Sequence, residues 1–189
     1  MLEERVRKIL RDVARGRITP EEAEQQLKLA AVLSLEDFAK VDLGREFRRR
    51  VPEIVLARWK KPDEVYKIAS EAASRIGRVI VAKASQEHLS KLLRLKPKFK
   101  VDIWRDSGLA VVKHKEFRVE RTGGKVAVLT AGTADIPVAR EAEVVAREMG
   151  CEVYSAYDVG VAGLHRLFQP LKEALRWGAN VFVVVAGME

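Results

Sequence analysis

The sequence predicts an α/β protein in two parts: an N-terminal helical hairpin with a small α/β domain over residues 1–120, then a parallel three-layer domain over residues 121–189. Three observations predict it. β-branched runs alternate with helical patterns along the last third of the chain, as in βαβαβ units. A capping signal, Thr19-Pro-Glu-Glu22, opens the second of two short amphipathic helical patterns near the N-terminus. Between these parts, short apolar runs bounded by Gly, Pro and Asp mark a compact mixture of strands and helices.

Glu3 to Ala14 carries Val6, Ile9, Leu10 and Val13 at helical spacing, and Gly16 stops it. Leu35 to Arg50 reads as irregular and basic, ending in Arg45-Glu-Phe-Arg-Arg-Arg50, a run that either holds phosphate groups or is simply solvated. Pro52–Ala57 reads as a strand, Asp63–Ile76 as a helix closed by Gly77, and Arg78–Ala82 as the next strand. Ser85 caps a helix running to about Leu95, which Pro97 ends. Lys98–Trp104 and Leu109–His114 form a strand pair around the turn Asp106-Ser-Gly108. His88 and His114 lack a second ligand at metal spacing and read as surface residues. The polar stretch Glu116–Gly124 places the domain boundary near residue 120.

The last third holds Lys125–Thr130, a helix to Gly150, Cys151–Tyr157, a second helix, and the apolar run from Asn180. Open α/β sheets bind ligands beyond the carboxyl ends of their strands, so three stretches are candidates. In Thr130-Ala-Gly-Thr-Ala-Asp135, Gly132 is expected to allow a tight turn, Thr133 offers a hydroxyl, and Asp135 either caps the helix or accepts bonds from a ligand. In Asp158-Val-Gly-Val-Ala-Gly-Leu-His165, Gly160 and Gly163 allow close backbone approach. His165 is either a proton carrier or a capping or core histidine. In Ala186-Gly-Met-Glu189, the Glu189 carboxylate follows a buried strand. Cys151 reads as a small core residue on a buried strand.

Composition narrows the classes. Hydrophobic residues make up 48% of the chain, enough for a core, and no run approaches a membrane span. The charged N-terminus lacks a signal-peptide core, and one cysteine cannot make an internal disulfide; a cytoplasmic protein is expected. The net charge of +8 is uneven, because residues 125–189 hold 6 Lys+Arg against 8 Asp+Glu. The basic front half suits a nucleic-acid partner, an anionic small molecule, or merely a solvated surface.

Taken together, Val128-Leu-Thr-Ala-Gly-Thr-Ala-Asp-Ile-Pro-Val-Ala139, Tyr157-Asp-Val-Gly-Val-Ala-Gly-Leu-His-Arg-Leu167 and Val183-Val-Val-Ala-Gly-Met-Glu189 resemble the LarB family of pyridinium-3,5-biscarboxylic acid mononucleotide synthases. Phe38–Asp42, Arg45 and Pro52-Glu53 resemble the family's N-terminal region. The resemblance implies a PurE-like, flavodoxin-type catalytic domain. It implies carboxylation of the pyridine ring of nicotinic acid adenine dinucleotide at carbon 5, with hydrolysis of the phosphoanhydride and release of AMP, on the way to a nickel-pincer nucleotide. Carbon dioxide or bicarbonate and the dinucleotide would be substrates, with no bound cofactor or metal. Gly132, Thr133, Ala134, Asp158, Gly160, Gly163 and Arg45 would contact substrate, and Glu189, Asp135 and His165 would be catalytic. A homo-oligomer without membrane or nucleic-acid partners is implied.

The sequence also departs from the family. Ala134 stands where the family commonly has Ser, Arg50-Val51 replaces a Gly-led turn, and Arg58-Trp-Lys-Lys61 replaces a Gly-containing one. The family's further strands and nucleophilic Cys have no counterpart here, so the βαβαβ unit is expected to be truncated, with apolar surface left uncovered and little or no turnover. A purine-pathway carboxyaminoimidazole ribonucleotide mutase and a non-catalytic nucleotide- or nucleic-acid-binding module are the competing expectations.

Overall fold

The computed structural model describes residues 2–30, 32–35, 39–42, 51–160 and 163–187. Helices α1 (Leu2–Ala14) and α2 (Pro20–Ala30) form the expected hairpin. Its corner is local chemistry. The Thr19 N–H donates to Glu22 Oε2 at 2.9 Å, and the Glu22 N–H donates back to Thr19 Oγ1 at 3.1 Å. Ile9 and Ala23 are buried.

One expectation fails directly after the hairpin. The stretch expected to be irregular from Leu35 onward contains β2 (Ala39–Asp42), which pairs antiparallel with β1 (Val32–Leu35) just ahead of it. Its register sets Leu33 opposite Val41 and Leu35 opposite Ala39, with Ser34 opposite Lys40 between them. That is a period-two alternation too short to show in the sequence until the two strands are laid side by side. Arg45 and the arginine run to Arg50 lie outside the described residues.

A four-stranded sheet follows, ordered β3-β4-β6-β5, from β3 (Ile54–Leu56), β4 (Arg78–Ala82), β5 (Phe99–Trp104) and β6 (Leu109–His114). β3 and β4 are parallel, joined through helix α3 (Pro62–Ile76); the other pairings are antiparallel. In α3, Val65, Ile68, Ala69, Ala72 and Ala73 make one apolar stripe. With helix α4 (Gln86–Leu92) that stripe covers Val79, Val81, Val101, Ala110 and Val112 on one face of the sheet. Gly77 ends α3 in the left-handed region at φ 94°, with Phe117 packed where a Cβ would stand.

His88 corrects a second expectation: it is 8% exposed rather than a surface residue. The Ser85 N–H donates to Nδ1 at 3.1 Å, so Nε2 carries the proton and donates to the Lys60 carbonyl at 2.8 Å. The ring serves as a strut between the α4 cap and the loop after β3. His114 is exposed, packed edge-on against Phe99.

Beyond the polar segment 115–124 comes the predicted parallel sheet, ordered β8-β7-β9, from β7 (Lys125–Thr130), β8 (Glu152–Ala156) and β9 (Val181–Val185). Helix α5 (Ile136–Glu148) joins β7 to β8, and helix α6 (His165–Trp177) joins β8 to β9. The two crossovers run in opposite directions across the sheet. Right-handed connections therefore put the helices on opposite faces, giving three layers. Gly150 turns the chain into β8 at φ 86°, and an added Cβ there would stand 2.0 Å from the Glu120 carbonyl oxygen.

α5 belongs to both sheets. One side packs on β7, β8 and β9. Val144 and Val145 pack on Ile80, Ala82, Leu109 and Val111, the face of the four-stranded sheet that α3 and α4 leave open. At its C-terminal end, buried Glu148 meets Arg78 Nη1 at 3.5 Å and Lys113 Nζ at 2.7 Å. Every residue of β4 is consequently buried.

β8 is an edge strand, half-buried where a buried strand is expected. Cys151, just ahead of it, is likewise half-buried rather than core. It lines an open depression of about 570 Å³ with Arg121, Arg147, Tyr154 and Trp177. Around α6 and β9, Phe168, Leu175, Val181 and Val184 are exposed.

Candidate functional site at the strand ends

The carboxyl ends of β7, β8 and β9 meet at Ala131. Its N–H donates to the Val185 carbonyl at 3.0 Å, and its own carbonyl accepts from the Gly160 N–H at 2.8 Å. One residue earlier, Thr130 is fully buried. Its hydroxyl oxygen accepts from the Asp158 N–H at 3.0 Å, and its carbonyl accepts from Val159 N–H at 2.9 Å. The segment Asp158–Gly160 is thus laid along the end of β7 like a further length of strand. Gly160 is required there, because an added Cβ would come within 2.7 Å of the Ala131 carbonyl oxygen. Asp158 takes a left-handed backbone at φ 58°, and its carboxylate is paired with Arg166.

The first turn is built differently from expectation. Gly132 has φ −120° and ψ 170°, extended backbone that any residue adopts, so it does not make the tight turn. The chain leaves β7 still extended, and the 3-10 turn Thr133–Asp135 bends it into α5. Asp135 holds that bend: its Oδ2 accepts from the Gly132 N–H at 3.0 Å. Of the two roles open to Asp135, the structure shows the capping one. Thr133 and Ala134 are exposed beside it. Pro137 sits in the first turn of α5, where its missing donor leaves no bond unmade.

His165 is the first residue of α6 and is exposed. Its ring and the Arg166 side chain lie against Gly163, where an added Cβ would stand 2.8 Å from His165 Cε1. The structure therefore brings Gly132, Thr133, Ala134 and Asp135 to one side of the Ala131 junction and Asp158, Gly160, Gly163 and His165 to another. Glu189 lies outside the described residues, as do Val161 and Ala162. Cys151 precedes β8, at the opposite end of the sheet from these turns. Between α6 and the sheet, beside the junction, is an apolar cavity of about 320 Å³ lined by Leu129, Val159, Leu167, Leu171, Phe182 and Val184. Among the described residues no group of three or more His, Cys, Asp or Glu is placed to hold a metal ion.

Sequence reasoning missed two groups. Thr130 stood inside the first stretch without a role, although a Thr ending a β-branched run signals a hydroxyl aimed at a neighbour. The second group is Tyr157 with Glu143. Glu143 is fully buried in mid-α5, and its Oε1 accepts from the Tyr157 hydroxyl. Its position, one helical turn after buried Ala139, was the available signal. Burial first, and then the bond to Glu143, push the Tyr157 pKa above that of free tyrosine; burial and Glu173 do the same to Tyr154. A raised folded-state pKa means this contribution to stability is full below the unfolded tyrosine range near pH 10 and is lost as pH rises through the folded value. Spectrophotometric titration is expected to show late-ionising phenol groups, one of which disappears in Tyr157→Phe. Two tyrosines titrating like the free amino acid at these positions would contradict the burial.

The fold is mixed α/β with one parallel sheet, consistent with a protein of the PurE-like kind. Residues 33–113 match the family model described as the LarB/PurE-like N-terminal domain. A protein of Methanocaldococcus jannaschii described as uncharacterized is 38% identical over 188 residues, spanning 97% of this chain and 73% of its own length. The chain belongs to the LarB/PurE-like family. The family supports an enzyme-type function related to that of LarB and PurE proteins, and the family match itself falls on the four-stranded unit rather than on the strand-end turns. Among the described residues no helix is long and apolar enough to cross a membrane.

Proposed function

We propose that the strand-end turns bind nicotinic acid adenine dinucleotide for LarB-type chemistry: carboxylation of the pyridine ring at carbon 5 and hydrolysis of the phosphoanhydride, releasing AMP. The observation that carries this reading is the junction at Ala131, where the ends of β7 and β9 and the segment after β8 bring two turns to the same end of the sheet. The exposed Thr133 hydroxyl and the backbone at the start of α5 suit a phosphate, and Gly160 lets the second turn lie directly on the Ala131 backbone beside them. In this reading a nucleophile adds to the pyridinium, the electron-rich ring attacks carbon dioxide, and a base takes the proton from carbon 5. Expulsion of the nucleophile then restores the aromatic ring. His165 and Glu189 are the proposed proton carriers. Cys151 is not the nucleophile, since it lies a full strand length away, about 16 Å for five residues.

The test is thermal stabilisation against nicotinic acid adenine dinucleotide, NAD, AMP and an aminoimidazole ribonucleotide. Preferential stabilisation by the nicotinic acid dinucleotide is expected. A response to the aminoimidazole ribonucleotide alone would move the reading to a mutase, and no response to any of the four would overturn nucleotide binding here.

A further inference from the structure

We propose that Tyr157 and Glu143 are a positioning pair that locks the Asp158–Gly160 turn to the helix opened by the other turn, so that both move as one unit. Its functional consequence rests on the nucleotide reading above; its mechanical part does not. A carboxylate in mid-α5 with no exposure carries a heavy desolvation cost, and helix packing gives no reason for it, since buried neighbours Ala139 and Val144 are apolar. Glu143 is instead fully engaged. Oε1 accepts from the Tyr157 hydroxyl, while Oε2 faces Arg140 Nη1 at 3.3 Å and Arg147 Nη2 at 3.6 Å. The Arg140 guanidinium also stands 5.7 Å from the centre of the Tyr157 ring.

The place of Tyr157 gives this cluster its meaning. It is the last residue before Asp158, whose left-handed backbone is costly for a non-glycine residue and persists only where the surroundings over-determine it. Hydrogen bonds to Thr130 and Ala131 fix the turn along β7. They leave it free to hinge away from α5; the Tyr157 hydroxyl removes that freedom. Because α5 begins at the Thr133–Asp135 bend, the pair sets the spacing between the two turns. A ligand spanning both turns gains affinity from that preset spacing.

Hydrogen exchange without nucleotide tests the mechanical part. Tyr157→Phe keeps the ring and its contact with Arg140 and removes one hydroxyl. Exchange at the Val159 and Gly160 amides is expected to rise about fivefold to tenfold, the loss of one hydrogen bond, with the central β7 amides unchanged. Glu143→Gln keeps an acceptor for the hydroxyl and should leave those amides within about threefold of wild type, while Glu143→Leu should match Tyr157→Phe. Unchanged exchange in Tyr157→Phe, a uniform rise across the sheet, or equal effects of Gln and Leu would each overturn the pair. Affinity for nicotinic acid adenine dinucleotide, measured by calorimetry, should fall in Tyr157→Phe and be retained in Glu143→Gln. If the wild type binds no nucleotide, the functional reading falls and the exchange result still decides the positioning.

Discussion

Gly160→Ala is expected to lower the stability of the protein by about 2–4 kcal/mol, the sum of an overpacked contact and one or two lost hydrogen bonds, and to remove the proposed stabilisation by nucleotide. The added Cβ would meet the oxygen, carbon and Cα of Ala131 at 2.7, 3.0 and 3.2 Å, all of them backbone. Ala131 cannot retreat, because its N–H is bonded to Val185 in β9. Relief requires lifting the turn away from β7, which breaks the Gly160–Ala131 and Val159–Thr130 bonds together. Two other glycines calibrate the effect. At Gly163 the added Cβ meets only His165 and Arg166 side-chain atoms, which can swing away, so Ala should cost less. At Gly187 it meets nothing within 4 Å, and Ala is expected to change stability by no more than about 0.5 kcal/mol. Thermal denaturation of the three variants, with and without dinucleotide, measures the order. A Gly160→Ala protein with wild-type stability and ligand response would mean the turn does not lie on β7.

Glu148→Ala is expected to be the most destabilising change outside the site, by about 3–5 kcal/mol, the usual cost of removing one partner from a buried ion pair. Glu148 is 6% exposed and Arg78 4%. Lys113, whose side chain is 15% exposed, shares the same carboxylate. Removing it leaves two largely desolvated cations beside each other in adjacent strands, since Arg78 and Lys113 are direct partners in the β4–β6 register. The Arg78 guanidinium keeps its bond to the Glu148 main-chain carbonyl and its place over Phe117, which limits the loss. Because α5 joins the two sheets, denaturant unfolding is the suitable measure, and the cooperativity of the transition is as informative as its midpoint. A loss below about 1 kcal/mol would show that the carboxylate is solvated and the α5 contact open.

How much was legible from sequence follows the range of each interaction. The Thr19–Glu22 capping box, the stop at Gly77 and the β-branched and helical runs of the last third all depend on neighbours a few residues away, and all were found. The β1–β2 pair was missed because four-residue strands carry too little alternation to stand out. His88 was misplaced because its burial rests on the Lys60 carbonyl, 28 residues distant. Gly132 was given a turn that Asp135 makes, since glycine at a strand end permits a bend without requiring one. Cys151 looked like core because an edge strand and a central strand share one composition, and only strand order separates them.

By itself the sequence determined the α/β class, the parallel order of the last third and the stretches that form its strand-end turns, because periodicity and turn chemistry act over a few residues. Tertiary structure alone decided that Ala131 is the junction of those turns, that α5 serves two sheets, and that Glu143 and Glu148 are buried. Those facts depend on partners up to 70 residues apart, and a glutamate's charge is tolerable inside only where Tyr157, Arg78 or Lys113 is folded against it.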